Sequence, residues 1–95
     1  MSSDNESPYR LSAHAEQEIR RRGIPAEMVD AVMMEPDQII ESHSARLIYQ
    51  SKMAIGGKLY LIRVIVEKTE PLTIVTAYRT SKVVKYWRDE DESNV

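Results

Sequence analysis

The sequence predicts an α+β domain in which an N-terminal helical hairpin packs on an antiparallel sheet of three or four strands, with a short C-terminal helix. Residues 12–34 have apolar side chains at helical spacing, whereas residues 38–80 have β-branched runs separated by glycine and proline turns. The length of 95 residues fits one domain with a modest core.

The two helices are predicted from their start and stop signals. Ser12 is an N-cap for the first helix, which Gly23 ends. Pro25 starts a second helix that runs to about Met34. This second helix has one apolar stripe, which is expected to face the sheet and consists of Met28, Val29, Val32 and Met33.

The sheet is predicted from short β-rich runs between turn signals. Gly56-Gly57 is a two-residue hairpin turn, Thr69–Pro71 is a second turn, and Ser81 caps a closing helix that runs through Trp87. The predicted strands are Gln38–Glu41, Arg46–Met53, Lys58–Lys68 and Leu72–Arg79.

The two hairpin turns predict the register of the strands. The glycine turn puts Gln50 opposite Arg63, and a turn centred on Thr69-Glu70 puts Arg63 opposite Thr76. Side chains alternate between faces, so one face is expected to be apolar and to take the helices. The apolar face is expected to carry Tyr49, Tyr60, Ile62, Val64, Val66, Val75 and Ala77. The mixed face is expected to carry Gln50, Lys52, Leu61, Arg63, Ile65, Ile74, Thr76 and Tyr78.

The formal net charge of -2 conceals an uneven distribution. Residues 1–8 and 89–95 are polar and aperiodic, and they are predicted to be a disordered lead and a disordered acidic tail around one domain, residues 9–88. In that domain thirteen basic residues stand against nine acidic ones. Such a balance attracts polyanions, or it is ordinary scatter in a small domain whose acidic ends aid solubility.

The composition argues against several classes of protein. The chain has no cysteine, so disulfides and thiolate metal sites are ruled out. Its apolar runs are too short to span a bilayer, and its N-terminus does not resemble a signal peptide. We therefore expect a cytoplasmic protein without a membrane partner.

Arg63 is the first candidate functional residue, because it interrupts an otherwise apolar strand. Its predicted neighbours are Thr76 and Tyr78, with Gln50 and Lys52 beside them. An unpaired charge is costly to bury, and a guanidinium can hold a phosphate or stabilise charge during phosphodiester cleavage. The alternative is a solvated sheet face over which Arg63 extends its aliphatic stem.

His14, Glu18 and Arg22 form a second candidate group near one side of the first helix. His14 is a candidate general acid or base, and Glu18 is placed to orient it. The alternative is an exposed helix face with ordinary ion pairs. His43 is predicted to be a surface loop residue. Two histidines at such unlike positions do not predict a metal site, and no cofactor is expected.

The segment 76–88 interleaves basic and aromatic residues. This composition suits RNA or DNA, because cations hold phosphates and aromatic rings stack on bases. Tyr86 is the stacking candidate, whereas Trp87 is expected to pack with Val83 and Val84 and dock the closing helix. The nucleic-acid-binding candidates are Arg22, Lys52, Arg79, Lys82, Lys85 and Tyr86.

Short motifs along the chain resemble those of the domain-of-unknown-function family 4258, over about residues 10–88. They are Ser12-Ala-His14, Arg22-Gly-Ile-Pro25, Glu35-Pro36, Val75-Thr-Ala-Tyr-Arg-Thr-Ser-Lys82 and Lys85-Tyr-Trp87. That family is similar to the RelE-like and BrnT-like toxins, which are ribonucleases whose sheets use basic and aromatic side chains rather than a metal. The resemblance singles out His14, Arg22, Thr76 and Tyr78, and it implies RNA or the ribosome and a cognate antitoxin as partners.

The leading functional prediction is a metal-independent endoribonuclease of the toxin type. Arg63 and Arg79 hold the phosphate, His14 or Tyr78 moves a proton, and the 2′-hydroxyl attacks in line. The alternative is a non-catalytic module that binds nucleic acid or a protein. A third possibility is an accessory protein whose sheet edge pairs with itself or a partner. The sequence leaves monomer and homodimer open.

Overall fold

A computed structural model describes residues 8–88 and shows an α+β domain with a five-stranded sheet and three helices. In chain order the elements are β1 (Tyr9–Leu11), α1 (Ala13–Arg21), α2 (Ala26–Met34), β2 (Gln38–Glu41), β3 (Arg46–Ile55), β4 (Lys58–Glu67), β5 (Leu72–Thr80) and α3 (Val83–Tyr86). The predicted disordered ends lie outside the described residues, apart from Pro8. Among those residues, no helix is long and apolar enough to cross a membrane.

The strands are ordered β1-β5-β4-β3-β2. From β1 at one edge, α1 and α2 carry the chain over one face to β2 at the other edge, and an antiparallel meander returns it to β5. β1 pairs with β5 in parallel, with Tyr9 opposite Leu72. The prediction of a purely antiparallel sheet of three or four strands is therefore wrong. A three-residue strand in a polar segment has no alternation long enough to recognise, which is why β1 was missed.

The two long helices have the predicted caps but do not form an N-terminal hairpin. β1 precedes them, and α1 packs mainly on β5 while α2 packs on β4 and β3. Ser12 Oγ accepts a hydrogen bond from the Ala15 amide at 3.0 Å, and Gly23 has a φ of 68° just after α1. The apolar stripe of α2 faces the sheet as predicted, with Val29, Val32 and Met33 buried and Met28 packed against them.

The β3–β4 hairpin has the predicted register. Gly56 and Gly57 form its two-residue turn with φ values of 60° and 83°, which glycine adopts without strain. Ile55 consequently lies opposite Lys58. This turn also sets the pairing of the residues farther along both strands, so Gln50 lies opposite Arg63.

The β4–β5 register differs from the prediction. Arg63 lies opposite Tyr78 rather than Thr76, and a bulge before Val66 places that residue opposite Ile74. The connection between these strands is longer than the predicted two-residue turn. A shift of two residues keeps a side chain on its face, whereas a shift of one reverses it. Arg63 and Tyr78 therefore still share a face, while Ile74 turns to the helices and is fully buried.

The core lies between the helices and one face of the sheet, which we call the helix face. It consists of Ala15, Ile19, Ile24, Val29, Val32, Met33, Ile62, Val64, Val66, Ile74 and Ala77. Burying an Ile or Val side chain stabilises a fold by about 2 kcal/mol, so this face holds the domain together. Val75, which was predicted for this face, is not part of the buried core.

The closing helix is shorter than predicted. Lys82 rather than Ser81 occupies the N-cap position of α3, and it forms no side-chain cap. Val84 is 92% exposed, so it takes no part in the apolar docking that was predicted for Val83, Val84 and Trp87, whereas Val83 and Trp87 are half-buried. A polar contact to the other face of the sheet, from Gln50 to the Tyr86 carbonyl, also holds the helix.

Candidate functional site

Four polar residues form one row across four neighbouring strands. Gln38 on β2 lies opposite Gln50 on β3, Gln50 lies opposite Arg63 on β4, and Arg63 lies opposite Tyr78 on β5. Directly opposed residues share a face of a sheet. The residues on either side of Arg63 along β4 belong to the core under the helices. The row therefore lies on the other face of the sheet, which we call the polar face.

Hydrogen bonds join all members of the row. Arg63 Nε donates to Gln50 Oε1 at 2.9 Å, and Arg63 Nη1 donates to the Tyr78 hydroxyl at 2.6 Å. Gln50 Nε2 donates in turn to Gln38 Oε1 at 2.8 Å. Two bonds from one guanidinium set its plane, so the fork of Arg63 is oriented before any ligand arrives.

The polar face is covered by α3 and the two residues after it. The Tyr86 ring lies over Arg63, with 4.4 Å between the ring centroid and Cζ, and the Tyr86 carbonyl accepts from Gln50 Nε2 at 3.2 Å. The Arg88 amide donates to Gln38 Oε1 at 3.1 Å, and Gln38 Nε2 donates back to the Arg88 carbonyl. Each such hydrogen bond adds a net of about 1 kcal/mol, so a few polar contacts anchor this cover.

The charge of Arg63 has no protein counter-charge in the described part of the chain. Arg63 is only 8% exposed, and within residues 8–88 no carboxylate forms an ion pair with its guanidinium. Arg63 also lines an open pocket of ≈ 380 Å³. The other pocket residues are Ile40, Glu41, Ser42, His43, Ile48 and Arg88. Glu41 pairs with Lys68 at 3.1 Å, so two guanidinium groups dominate the pocket and favour an anion.

Lysines add positive charge to the aromatic residues of the cover. Lys52 Nζ lies 3.9 Å from the centroid of the Trp87 ring, and Lys85 Nζ lies 5.3 Å from that of Tyr86. Lys82 and Lys85 are exposed. Trp87 is half-buried and lies outside the helix-face core, contrary to the prediction that it packs as a core residue.

The candidate group on α1 does not meet Arg63. Helix α1 packs on the helix face, and His14 is an exposed residue near its start. Glu18 binds Arg21 at 2.5 Å and Arg22 at 2.9 Å, and the hydrogen bond from Arg21 lowers the pKa of its carboxyl group. These are the ordinary ion pairs of an exposed helix face, which was the alternative interpretation of the sequence.

Arg22 ties α1 to the edge of the sheet. Its Nη1 donates to the Ala77 carbonyl at 2.8 Å and to the Thr76 hydroxyl at 3.4 Å. Thr76, which was predicted to lie opposite Arg63, lies opposite Ile65. The structure therefore brings Arg22 and Thr76 together at the edge of β5. Thr76 shares the polar face with Tyr78, two residues farther along the strand, but it is not a member of the row.

Arg79 and Arg63 lie on opposite faces of the sheet. Arg79 is opposite Ile62, a member of the helix-face core, and its Cζ lies 5.2 Å from the Tyr60 ring centroid. A single phosphate therefore does not bridge these two arginines, as the predicted mechanism required. Of the predicted catalytic residues, Arg63 and Tyr78 are joined by a hydrogen bond and Thr76 lies on the same face two residues from Tyr78, whereas His14 lies on α1.

Sequence reasoning missed Gln38 and His43 as members of this region. The pairing of β2 with β3 would have identified Gln38, because it lies opposite Gln50. No local signal marks His43, which reaches the pocket from the loop between those strands. Within residues 8–88, no three His, Asp or Glu side chains are grouped to hold a metal ion.

The fold and the polar face define a small α+β domain with a candidate anion-binding site. The chain belongs to the family described as domain of unknown function (DUF4258), which matches residues 11–84. This confirms the predicted family, while the relation to RelE-like and BrnT-like toxins stays a prediction. No curated protein and no solved structure matches the chain. The matched span includes every residue of the row on the polar face.

Proposed function

We propose that the polar face binds single-stranded RNA through its phosphates, with Arg63 as the central contact. The supporting observation is a guanidinium that is 8% exposed, lacks a carboxylate partner within residues 8–88 and lines an open pocket. A buried charge without a partner is unfavourable. A phosphate neutralises that charge and matches the planar fork of arginine.

Two aromatic residues extend this contact. Tyr86 and Trp87 are both partly exposed, and a cationic side chain lies over each ring, Arg63 over Tyr86 and Lys52 over Trp87. Stacking of a base on such a ring contributes about 1–3 kcal/mol. Bases present their faces only in single strands, which favours a single-stranded ligand. The choice of RNA over DNA follows from the predicted relation to ribonuclease toxins.

Fluorescence anisotropy with a labelled single-stranded RNA tests this proposal. Wild-type protein is expected to bind, with an affinity that falls as salt rises, because phosphate contacts release counterions. Arg63→Lys keeps the charge but loses the bidentate fork, so its affinity should fall by about tenfold or more. The matched control is Arg20→Ala, which removes an exposed arginine from α1.

The variants need a check of folding by circular dichroism. Unchanged affinity in folded Arg63→Lys and Arg63→Met would remove Arg63 as the central contact. Absence of binding by the wild type at low salt would reject the whole proposal. A DNA of the same sequence is the comparison that tests the choice of RNA.

A second candidate function is cleavage of the bound RNA, as in a metal-independent endoribonuclease of the toxin type. The observation that favours it is the 2.6 Å bond from Arg63 to Tyr78, which puts a phenol beside the proposed phosphate contact. His43 lines the same pocket as Arg63. His14 has no part in this step, because α1 lies across the sheet.

The cleavage step would use these groups as follows. The RNA 2′-oxygen attacks the adjacent phosphorus while its proton passes to His43. The bond from phosphorus to the 5′-oxygen breaks, and Tyr78 gives its proton to that leaving oxygen. Arg63 offsets the negative charge that develops on the phosphoryl oxygens. The products are a 2′,3′-cyclic phosphate and a free 5′-hydroxyl.

Incubation with RNA in the presence of a chelator tests this candidate. Tyr78→Phe should cleave about 100-fold more slowly at unchanged RNA affinity. Induced expression in a bacterial host should slow growth for the wild type but not for Tyr78→Phe. Intact RNA after incubation with the wild type, free or with ribosomes, would remove the catalytic candidate and leave RNA binding in place.

A further inference from the structure

We infer that a second basic and aromatic surface on the helix face binds phosphates of the same RNA strand. It is formed by Lys58, Tyr60 and Arg79, and we call it the hairpin surface because two of its members follow the β3–β4 turn. The inference rests on the proposed function of the polar face. It extends the path of the RNA around the edge of the sheet.

Two cations share one aromatic ring at the hairpin surface. Arg79 Cζ lies 5.2 Å from the centroid of Tyr60, and Lys58 Nζ lies 5.7 Å from it, within the range of cation–π attraction. Both cations are exposed, and neither pairs with a carboxylate within residues 8–88. Two like charges near one ring repel each other, and a phosphate beside them relieves that repulsion. The surface therefore suits a polyanion.

The edge of β5 connects the hairpin surface with the polar face. Among the described residues, β1 pairs with β5 only at Leu72–Ile74, and Arg22 binds Thr76 and the Ala77 carbonyl, so residues 78–80 lie at an open edge of the sheet. Tyr78 and Arg79 are consecutive in this open part, and their side chains lie on opposite faces. A strand that crosses the edge here contacts Tyr78 and Arg63 on one side and Arg79 on the other.

Only a flexible nucleic acid can follow this path. A DNA duplex has a persistence length of about 50 nm, whereas the domain extends only 26 Å along its shortest axis. A duplex therefore does not bend around the edge, but a single strand does. The partner that fits both surfaces is a single-stranded RNA longer than the footprint of the polar face.

Two RNA lengths separate the surfaces experimentally. Oligonucleotides of about 4 and about 16 nucleotides span the range of site sizes known for OB folds that bind single strands. The test variant is Lys58→Ala/Arg79→Ala. The control variant, Arg20→Ala/Arg21→Ala, removes the same charge from the exposed side of α1. Lys58→Gln/Arg79→Gln replaces the alanine pair if that pair unfolds.

We expect the test variant to weaken binding of the longer RNA about tenfold and to leave the shorter RNA unchanged. Loss of two phosphate contacts should also reduce the slope of log affinity against log salt by about 1.4. The control variant should keep most of the affinity for the longer RNA and most of the salt slope, because its cations lie off the inferred path.

Three outcomes would overturn the inference. Equal weakening by test and control variants would mean that net charge alone attracts the RNA. Equal loss of affinity for the short and the long RNA would mean that the hairpin surface belongs to the same binding site as the polar face. No effect of the test variant, with Arg63→Lys still weakening both RNAs, would reject the second surface alone. Failure of the wild type to bind either RNA would instead reject the proposed function.

Discussion

The two faces of the sheet are stabilised by different means. Two nine-residue helices bury the helix face, where each large side chain removed from water contributes about 2 kcal/mol. The polar face carries a row of hydrogen-bonded residues under a four-residue helix, where each bond adds a net of about 1 kcal/mol. A small domain that obtains its stability from one face can use the other for a ligand.

The same contrast explains the position of the buried charge. Under the helices, among the core side chains of the helix face, a guanidinium would have no acceptor for its N–H groups. On the polar face Gln50 and Tyr78 accept from Arg63, and the pocket leaves room beside it. The charge is thus held by neutral partners, which orient it without neutralising it.

The largest expected effect tests the helix face. Ile62→Ala removes a fully buried side chain and should lower the free energy of unfolding by about 3 kcal/mol. Urea denaturation followed by circular dichroism measures this change. Val84→Ala is the control, since a residue 92% exposed should change stability by less than about 0.5 kcal/mol. Similar losses in the two variants would mean that the helix face is not a packed core.

A smaller effect separates stability from binding on the polar face. Arg63→Met leaves the Gln50 side-chain oxygen unpaired and should cost about 1–2 kcal/mol of stability. Adding Gln50→Leu removes that unpaired oxygen and should restore part of the loss, because it also removes the bond from Gln50 Nε2 to the Tyr86 carbonyl. RNA affinity should stay low in both variants, because the guanidinium is absent.

Denaturation and RNA titration of the single and double variants check this prediction. If Gln50→Leu/Arg63→Met recovers RNA affinity together with stability, then Arg63 acts on binding only through the fold. The comparison between a structural face and a binding face would then fail.

The smallest effect concerns a polar tie at the border of the helix face. The Tyr9 hydroxyl donates to Asp30 Oδ1 at 2.7 Å and so joins β1 to α2. Tyr9→Phe should cost about 1 kcal/mol at neutral pH. Burial, together with the bond to Asp30, raises the pKa of Tyr9 from 10.0 to about 12.

The pH dependence of this tie has a defined sign. Folding favours the protonated phenol, so its contribution is complete below pH 10.0 and is lost as the pH rises toward about 12. Denaturation curves of wild type and Tyr9→Phe should therefore converge across that interval. If the difference in free energy of unfolding between wild type and Tyr9→Phe stays constant over this pH interval, the Asp30 bond is not its source.

Short sequence motifs correctly predicted the helix caps and the tight turn, which depend on only a few neighbouring residues. Ser12 caps α1, Gly23 follows its end, and the two glycines at 56 and 57 set the β3–β4 register. That register placed Gln50 opposite Arg63, which is half of the row on the polar face. These predictions succeeded because each depends on backbone conformations that few residue types adopt.

Signals between distant segments were weaker. The β4–β5 connection did not follow a two-residue turn, so Thr76 was predicted opposite Arg63 where Tyr78 lies. β1 was missed because its partner, Leu72–Ile74, is far along the chain. The helical spacing on α1 was correct, but it could not tell which face of the sheet would receive His14.

By itself, the amino-acid order determined the α+β class, both long helices, one tight hairpin and the presence of an arginine where apolar residues were expected. Only the folded chain decided what stands beside that arginine: a phenol, an amide, an aromatic lid and a pocket with a histidine. The reason is one of range. Caps and tight turns act over a few residues, whereas the site is assembled by pairings and crossings between residues that are far apart in the chain.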